Sequence, residues 1–282
     1  MRTILITGAT SGIGLECALQ LAEQSPHLVL VGRNPDKLSA AKAHVTARGA
    51  GRVDTLVCDF VSLASVQALA DEVLARYDHL DVLINNAGTV YGRRTETADG
   101  HEATFAVNHL AGYLLTERLK DLLIASAPAR IVITASNGHY AGSMDFDDIG
   151  YRRGYGIVKA YSRSKLANVL YARSLGHELD GTGVTVNALH PGMVSTDIWD
   201  GAPWYTQPVF ALLKRFRMIT PEEGGRRVTF LACDPSLDRI TGQYFEANRV
   251  AQPSELALDD TVAERLRAVS DRLVGLDRGA NA

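Results

Sequence analysis

Residues Ile4–Gly14 read ILITGATSGIG, and the fold turns on how this run is parsed. Ile4–Thr7 is short and apolar, the pattern of a buried strand. Gly8, Gly12 and Gly14 follow, and Leu15–Gln24 then has helical periodicity. A glycine-rich turn lets backbone N–H groups approach a phosphate, and the start of the next helix adds about half a positive charge. Taken alone the glycine trio is weak evidence, because strand–turn–helix units with glycines also occur where nothing binds. Its meaning depends on the rest of the chain.

That remainder repeats the pattern. LVLV (Leu28–Val31), DTLVC (Asp54–Cys58), DVLI (Asp81–Ile84), RIVIT (Arg130–Thr134), VTVNAL (Val184–Leu189) and QYF (Gln243–Phe245) read as further strands, mostly separated by helical segments. Such alternation predicts an α/β fold: one doubly wound Rossmann domain, about seven parallel strands with helices on both faces. No linker, repeat or low-complexity tract interrupts residues 1–282, so one domain is expected. Within it, 137–156 reads as an irregular insertion, 195–217 as a substrate lid, and 259–275 as a C-terminal helix ending near Gly275.

Composition narrows the class. Apolar residues make up 46% and charged residues 22%, the balance of a soluble globule, and the net charge of -3 implies no nucleic-acid partner. Cys17, Cys58 and Cys233 form neither a disulfide framework nor a zinc pattern, which fits a reducing, cytoplasmic setting. His139 and His190 have no third ligand at suitable spacing, so no metal is expected. No apolar run reaches the length of a membrane span, and no signal peptide precedes the first strand.

In the first βα turn of a parallel sheet, the glycine loop reads as a dinucleotide site. An acid at the end of the second strand would suit the free ribose hydroxyl of NAD. Here Gly32 stands in that place and Arg33 follows, with Ser11 able to add a hydroxyl. Glycine removes charge repulsion and arginine offers a fork for a 2′-phosphate, so NADP(H) is preferred over NAD(H). The bland alternative is a solvated loop arginine.

GYGIVKAYSRSKLANVL (Gly154–Leu170) contains Tyr-x-x-x-Lys twice, as Tyr155–Lys159 and Tyr161–Lys165. A helix from about Ala160 to Leu179 places the second pair side by side, whereas Gly156 and two β-branched residues weaken the first. Useful acid–base work near neutrality would need the tyrosine pKa lowered by about 2–3, or roughly 3–4 kcal/mol. One ammonium about 4–5 Å away, at an effective dielectric near 20, supplies about that much.

These motifs together resemble the short-chain dehydrogenases/reductases over nearly the whole chain. TGATSGIG, CDF (Cys58–Phe60), NNAG (Asn85–Gly88), VNHL with Asn108, ITAS ending at Ser136, YSRSK with Tyr161 and Lys165, and HPGMVSTDI (His190–Ile198) occur in the family's order. FDDI (Phe146–Ile149), KAYSRSKLANVL and GTGVTVNALHPGMVSTDI are similar to the branch holding retinol dehydrogenases and protochlorophyllide reductases. In that branch an insertion widens the Ser–Tyr spacing, here 25 positions. Membrane-bound relatives carry an anchor ahead of the first strand; with the first strand at about residue 3, none is expected here.

The resemblance implies a catalytic set of Asn108, Ser136, Tyr161 and Lys165. Tyr161 would be the general acid/base, Ser136 would steady the oxyanion, Lys165 would hold the nicotinamide ribose, and Asn108 would hold a water passing protons to Lys165. It also implies cofactor contacts from Gly8, Ser11, Gly12, Ile13, Gly14, Arg33, Asp59, Phe60, Asn86, Ala87, Gly88, Tyr161, Lys165, Pro191, Gly192, Val194 and Thr196. Each has a plainer rival: a serine after a strand is usually a turn residue, and Asn85 and Asn86 can simply satisfy strand ends.

Three functions compete. The leading one is an NADP(H)-dependent carbonyl reductase or alcohol dehydrogenase, with an apolar substrate under Trp199, Trp204, Tyr205, Val209 and Phe210. A double-bond reductase of the protochlorophyllide type, or an NADP-sensing module without turnover, are the alternatives. The run VFALLKRFRMI (209–219) reads as lid, with a membrane surface as its rival. Helices around Gly100–Ile124 and Tyr161–Leu179 are similar to those that pair subunits in the family, implying a homodimer or homotetramer unless the tail blocks one interface.

Overall fold

Strand β1 (Thr3–Thr7) is buried along its entire length, with Ile4 and Ile6 facing one core and Leu5 the other. Strands buried on both faces read as continuous apolar runs and not as alternation, and this is why ILIT was legible as a central strand. The computed structural model describes residues 1–193 and 219–276. Around β1 lie β2 (His27–Gly32), β3 (Arg52–Val57), β4 (Val82–Asn85), β5 (Ala129–Thr134), β6 (Val184–His190) and β7 (Tyr244–Glu246), in the order β3-β2-β1-β4-β5-β6-β7 and all parallel.

One strand was not anticipated. β8 (Arg249–Val250) pairs antiparallel with β7 through a tight turn in which Ala247 and Asn248 have φ of 46° and 63°. Two exposed residues carry no apolar pattern, so only the turn's left-handed backbone betrays the hairpin. The sheet thus has seven parallel strands and an antiparallel edge.

Helices α1 (Gly12–Ala22) and α2 (Pro35–Ala47) cover one face. On the other lie α3 (Leu63–Arg76), α4 (Ala103–Phe105) and α5 (Ala111–Ala125), the last two joined by a wide π turn at Ala106–Leu110, and α6 (Ile157–Glu178). Then α7 (Pro221–Cys233) packs beside α1, and α8 (Asp260–Val274) lies against α5 and α6. Asp259 caps α8 by accepting from the Val262 N–H at 3.0 Å, and Gly275, with φ of 71°, ends it.

α6 begins three residues earlier than predicted, which brings Lys159 but not Tyr155 into the helix. From this helix Arg163 holds the segment Asn137–Gly156 in place. Its guanidinium donates to the carbonyls of Ser143 (2.9 Å), Asp148 (2.7 Å) and Ile149 (3.1 Å), and stacks over the Tyr151 ring at 3.6 Å.

α8 is tied to both α5 and α6 by polar contacts. Arg267 pairs with Glu117 of α5 and Glu178 of α6, and the Tyr113 hydroxyl donates to Asp271 at 2.6 Å.

Candidate active site

The switch in strand order falls between β1 and β4, and the loops leaving their C-terminal ends build one side of the site. Gly8 and Gly12 have φ of 67° and 54°, left-handed values that favour glycine. Gly14 is required for a different reason. A Cβ there would land on the Gly8 carbonyl oxygen and 2.6 Å from Asn86 Nδ2.

Ser11 caps α1 with an extended backbone, and its side chain makes no capping bond. Ile13 is half-buried in the first turn of the helix. The α1 N-terminus, these glycines and the space in front of them fit a phosphate group.

Asn86 has a structural task. It donates through Nδ2 to the carbonyls of Thr7 (3.1 Å) and Gly8 (3.4 Å). Thr7 Oγ1 in turn accepts from the backbone N–H of Asn86 (2.9 Å) and Ala87 (3.0 Å). The plain reading of Asn85 and Asn86 as strand-end residues therefore holds for these contacts, since Asn85 donates to Thr116 Oγ1 at 2.7 Å.

A cavity of about 220 Å³ opens beside the loop, lined among others by Gly8, Arg33, Asp59, Phe60, Gly88 and Tyr91. Gly32 lies on its wall, and a Cβ there would come within 2.6 Å of Thr10 Cγ2, so packing favours glycine. Arg33 is exposed and makes no ion pair among the described residues. Asp59 is oriented locally, its N–H donating to Ser65 Oγ (3.0 Å) and its carboxylate accepting from the Val61 N–H (3.2 Å).

Across the cleft, Ser136 follows β5 and Tyr161 rises from α6. The Ser136 side chain draws the Tyr161 pKa down, but burial is the larger influence and holds it above its ordinary value. The Tyr161 ring lies against Gly138, where a Cβ would be 3.2 Å from Cε1. Ser136 Oγ also accepts from the Gly138 N–H at 3.0 Å.

Lys165, one turn beyond Tyr161, is buried, and its ammonium lies 5.7 Å from the tyrosine ring centroid. It donates to the Thr134 carbonyl at 3.0 Å, and burial pushes its pKa down to about 8. The simple expectation that the lysine lowers the tyrosine pKa does not hold in this state. Both groups are desolvated, and desolvation penalises phenolate and ammonium alike.

Tyr155 sits two residues ahead of α6 and donates to the Tyr91 carbonyl at 2.8 Å, away from Ser136. Asn108 lies in the π turn. Given a water-holding role by the resemblance, it uses both ends of its amide on protein groups: Oδ1 accepts from the Thr89 N–H (2.7 Å), and Nδ2 donates to the Thr89 carbonyl and Ser164 Oγ (both 3.0 Å).

His139 is likewise committed. Its Nδ1 meets the Ser136 carbonyl at 2.7 Å and its Nε2 accepts from the Ser254 N–H at 3.1 Å, which makes Nδ1 the protonated nitrogen.

Pro191 and Gly192 begin the turn after β6. Gly192 has φ of 109°, and a Cβ there would come within 2.9 Å of Ile219 Cγ1. The Ile219 N–H donates to the Met193 carbonyl at 2.9 Å. Val194, Thr196 and the expected lid at 195–217 lie outside the described residues, as does the run 209–219 except for Ile219.

A family model described as short chain dehydrogenase matches residues 2–203. The chain belongs to the short-chain dehydrogenase family. It is 38% identical to human retinol dehydrogenase 13 over 98% of this chain and 85% of that one, and 38% identical to mouse retinol dehydrogenase 14 over 98% and 86%. Among solved structures, an uncharacterized protein from Mycobacterium paratuberculosis superposes with a TM-score of 0.77 at 28% identity, covering 98% of this chain and 94% of that one. A variant of actinorhodin polyketide ketoreductase solved with NADPH does so at 0.67 and 29% identity, over 87% and 95%.

This short-chain dehydrogenase has site residues that sequence reasoning passed over. Asn168 stands in the quoted KLANVL, but a buried asparagine and a solvated one look alike in sequence. His109, next to Asn108, is buried and neutral, its pKa lowered to about 4 by desolvation.

The unfolded chain takes up that proton near 6.5, so it holds more protons than the folded chain between those values. Stability is full above about pH 6.5 and falls as pH drops toward 4, by roughly 3 kcal/mol from His109 across that interval. The urea midpoint of the wild type should therefore fall between pH 6.5 and 5, and His109→Gln should flatten that slope. An equal slope in both proteins would contradict the assignment.

Proposed function

We propose that this chain is an NADP(H)-dependent oxidoreductase that interconverts a carbonyl and an alcohol on an apolar small molecule, with Tyr161 as general acid/base. The observation that carries the reading is the convergence of Ser136 Oγ and the Tyr161 ring at Gly138, with Lys165 one helical turn away.

A nicotinamide held here would supply or accept the hydride. In the reductive direction Tyr161 donates a proton to the carbonyl oxygen, and Ser136 hydrogen-bonds that oxygen as charge develops on it. In the oxidative direction Tyr161 takes the proton of the alcohol. Lys165 holds positive charge beside the site and directs one N–H to Thr134.

The NADP preference rests on Gly32, which leaves no acid on the strand end, and on Arg33, exposed beside the cavity. Asp59 and Phe60 would flank the adenine, and Ser11 with the first turn of α1, including Ile13, would meet phosphate. Pro191, Gly192, Val194 and Thr196 would carry the nicotinamide end. The apolar substrate class rests on the composition of 195–217.

Among the described residues no helix is long and apolar enough to cross a membrane, and the scattered cysteines fit action in the cytoplasm. A homodimer or homotetramer through α5 and α6 would have to accommodate α8, which already lies on both helices.

NADPH consumption with a panel of apolar aldehydes and ketones tests the reaction. On the cofactor side, Arg33→Ala should raise the KM for NADPH about 10–100-fold, the loss of one charged hydrogen-bond set, and leave NADH nearly unchanged. Equal changes for both cofactors would show that Arg33 does not read the 2′-phosphate.

A further inference from the structure

One turn beyond Lys165 on α6, Asn168 is buried, and nothing in the proposed reaction uses it. Its amide is engaged at every end. Nδ2 donates to the Asn108 carbonyl at 3.0 Å and to the Thr134 carbonyl at 3.2 Å. The Thr134 carbonyl is the same oxygen that receives Lys165 Nζ.

With Nδ2 facing two carbonyls, Oδ1 is the end that meets His109 Nδ1 at 3.2 Å. A carbonyl oxygen only accepts, so His109 carries its proton on Nδ1, and its Nε2 accepts from the Ser270 hydroxyl at 3.0 Å. Ser270 lies on α8 and is fully buried. A continuous chain thus runs from the C-terminal helix through His109 and Asn168 to the acceptor of Lys165.

We infer that Asn168 is a positioning residue for Lys165. It fixes the Thr134 carbonyl that orients the lysine and pins the π turn that carries Asn108, while His109 and Ser270 of α8 brace it from behind. The inference rests on the catalytic reading of Tyr161 and Lys165 given above.

The geometry gives two reasons why a lone hydrogen bond to Lys165 would be looser without Asn168. A carbonyl with two donors in place is held in both direction and depth. The π turn also shifts backbone carbonyls out of helical register, and such turns need outside donors to hold their shape. Asn168 provides one at Asn108. Without it, the Thr134 carbonyl keeps Lys165 as its one side-chain donor among the described residues, so the bond loses its fixed direction while the undivided acceptor favours the ammonium form.

The experiment compares wild type, Asn168→Ala and Tyr161→Phe, and follows Lys165 by NMR of lysine labelled at Cε alongside turnover and thermal stability. In Asn168→Ala the Lys165 titration should move upward by about half a pH unit or more, the local signature of a changed hydrogen-bond partner. The pH profile of kcat should move with it, and kcat should fall about 10-fold or more with substrate KM little changed, as positioning losses do.

A lower melting temperature with the Lys165 titration unmoved would overturn the inference and leave Asn168 a packing residue. If Asn168→Ala does not fold, Asn168→Ser replaces it, since serine is too short to reach both carbonyls, and the same two readings decide. Turnover that persists in Tyr161→Phe would instead overturn the catalytic reading, and the inference with it. Loss of turnover there with an unmoved Lys165 in the Asn168 variant sinks the inference alone.

Discussion

Tyr161→Phe is expected to lower kcat for carbonyl reduction by about 10²–10⁴-fold while NADPH still binds. Phenylalanine keeps the ring that packs over Gly138, so the site keeps its shape and only the hydroxyl is lost. Because burial holds that hydroxyl above its ordinary pKa, it is protonated at neutral pH and ready to act as an acid. The reverse reaction needs the phenolate, so alcohol oxidation should speed up as pH rises from 7, whereas reduction should not.

Lys165, with its pKa near 8, loses its charge over the same range, which limits that gain. Initial rates in both directions, with NADPH binding measured separately by fluorescence, check these expectations. Tyr155→Phe serves as the control. Its hydroxyl donates to the Tyr91 carbonyl, so turnover should stay within a few-fold. Turnover that survives Tyr161→Phe and fails in Tyr155→Phe would reverse the assignment.

The second large effect belongs to Gly14→Ala. The added methyl would overlap the Gly8 carbonyl oxygen and come within 2.6 Å of Asn86 Nδ2. Neither neighbour can yield cheaply. Gly8 belongs to the loop backbone, and Asn86 ties the ends of β1 and β4 together through Thr7 and Gly8. The start of α1 would have to move away from the sheet.

Overpacking of this kind costs about 1–3 kcal/mol or somewhat more, a fall in melting temperature of roughly 3–10 °C for a chain of this size. The same movement withdraws the N–H groups at the start of α1 from the phosphate position, so NADPH affinity should drop about 100-fold. Gly112→Ala is the contrast. Its Cβ would meet Asn85 at an ordinary 3.5 Å inside α5, and stability should hold or rise by up to about 1 kcal/mol. Calorimetry and NADPH titration on both variants decide the matter. Normal NADPH binding by Gly14→Ala would remove the glycine loop from the cofactor site.

The sequence by itself determined the order of strands and helices, the glycine turn after β1, the family, and the helical spacing of Tyr161 and Lys165. All of these are local: they live in periodicity, in turn chemistry and in neighbours within a few residues. Even the placement of Tyr161 inside the helix, with Tyr155 ahead of it, was readable, because Gly156 sits where a helix begins and not where it runs.

The tertiary structure alone decided what depends on atoms distant along the chain. It set apart Gly14, excluded from substitution by a carbonyl six residues back and an asparagine on β4's loop, from Gly8, which owes its place to backbone conformation. It made Arg163, between the two catalytic candidates, the anchor of the segment Asn137–Gly156. It joined Asn168 and His109 to the C-terminal helix.

It also reversed the expected direction of the Tyr161 pKa. An argument from one charge at one distance counts only attraction, whereas burial is the sum of everything packed around a group. That sum is written in the fold, because the neighbours of Tyr161 and Lys165 include Thr134 of β5, Gly138 beyond it and Gly88 after β4, which meet only once the sheet has formed.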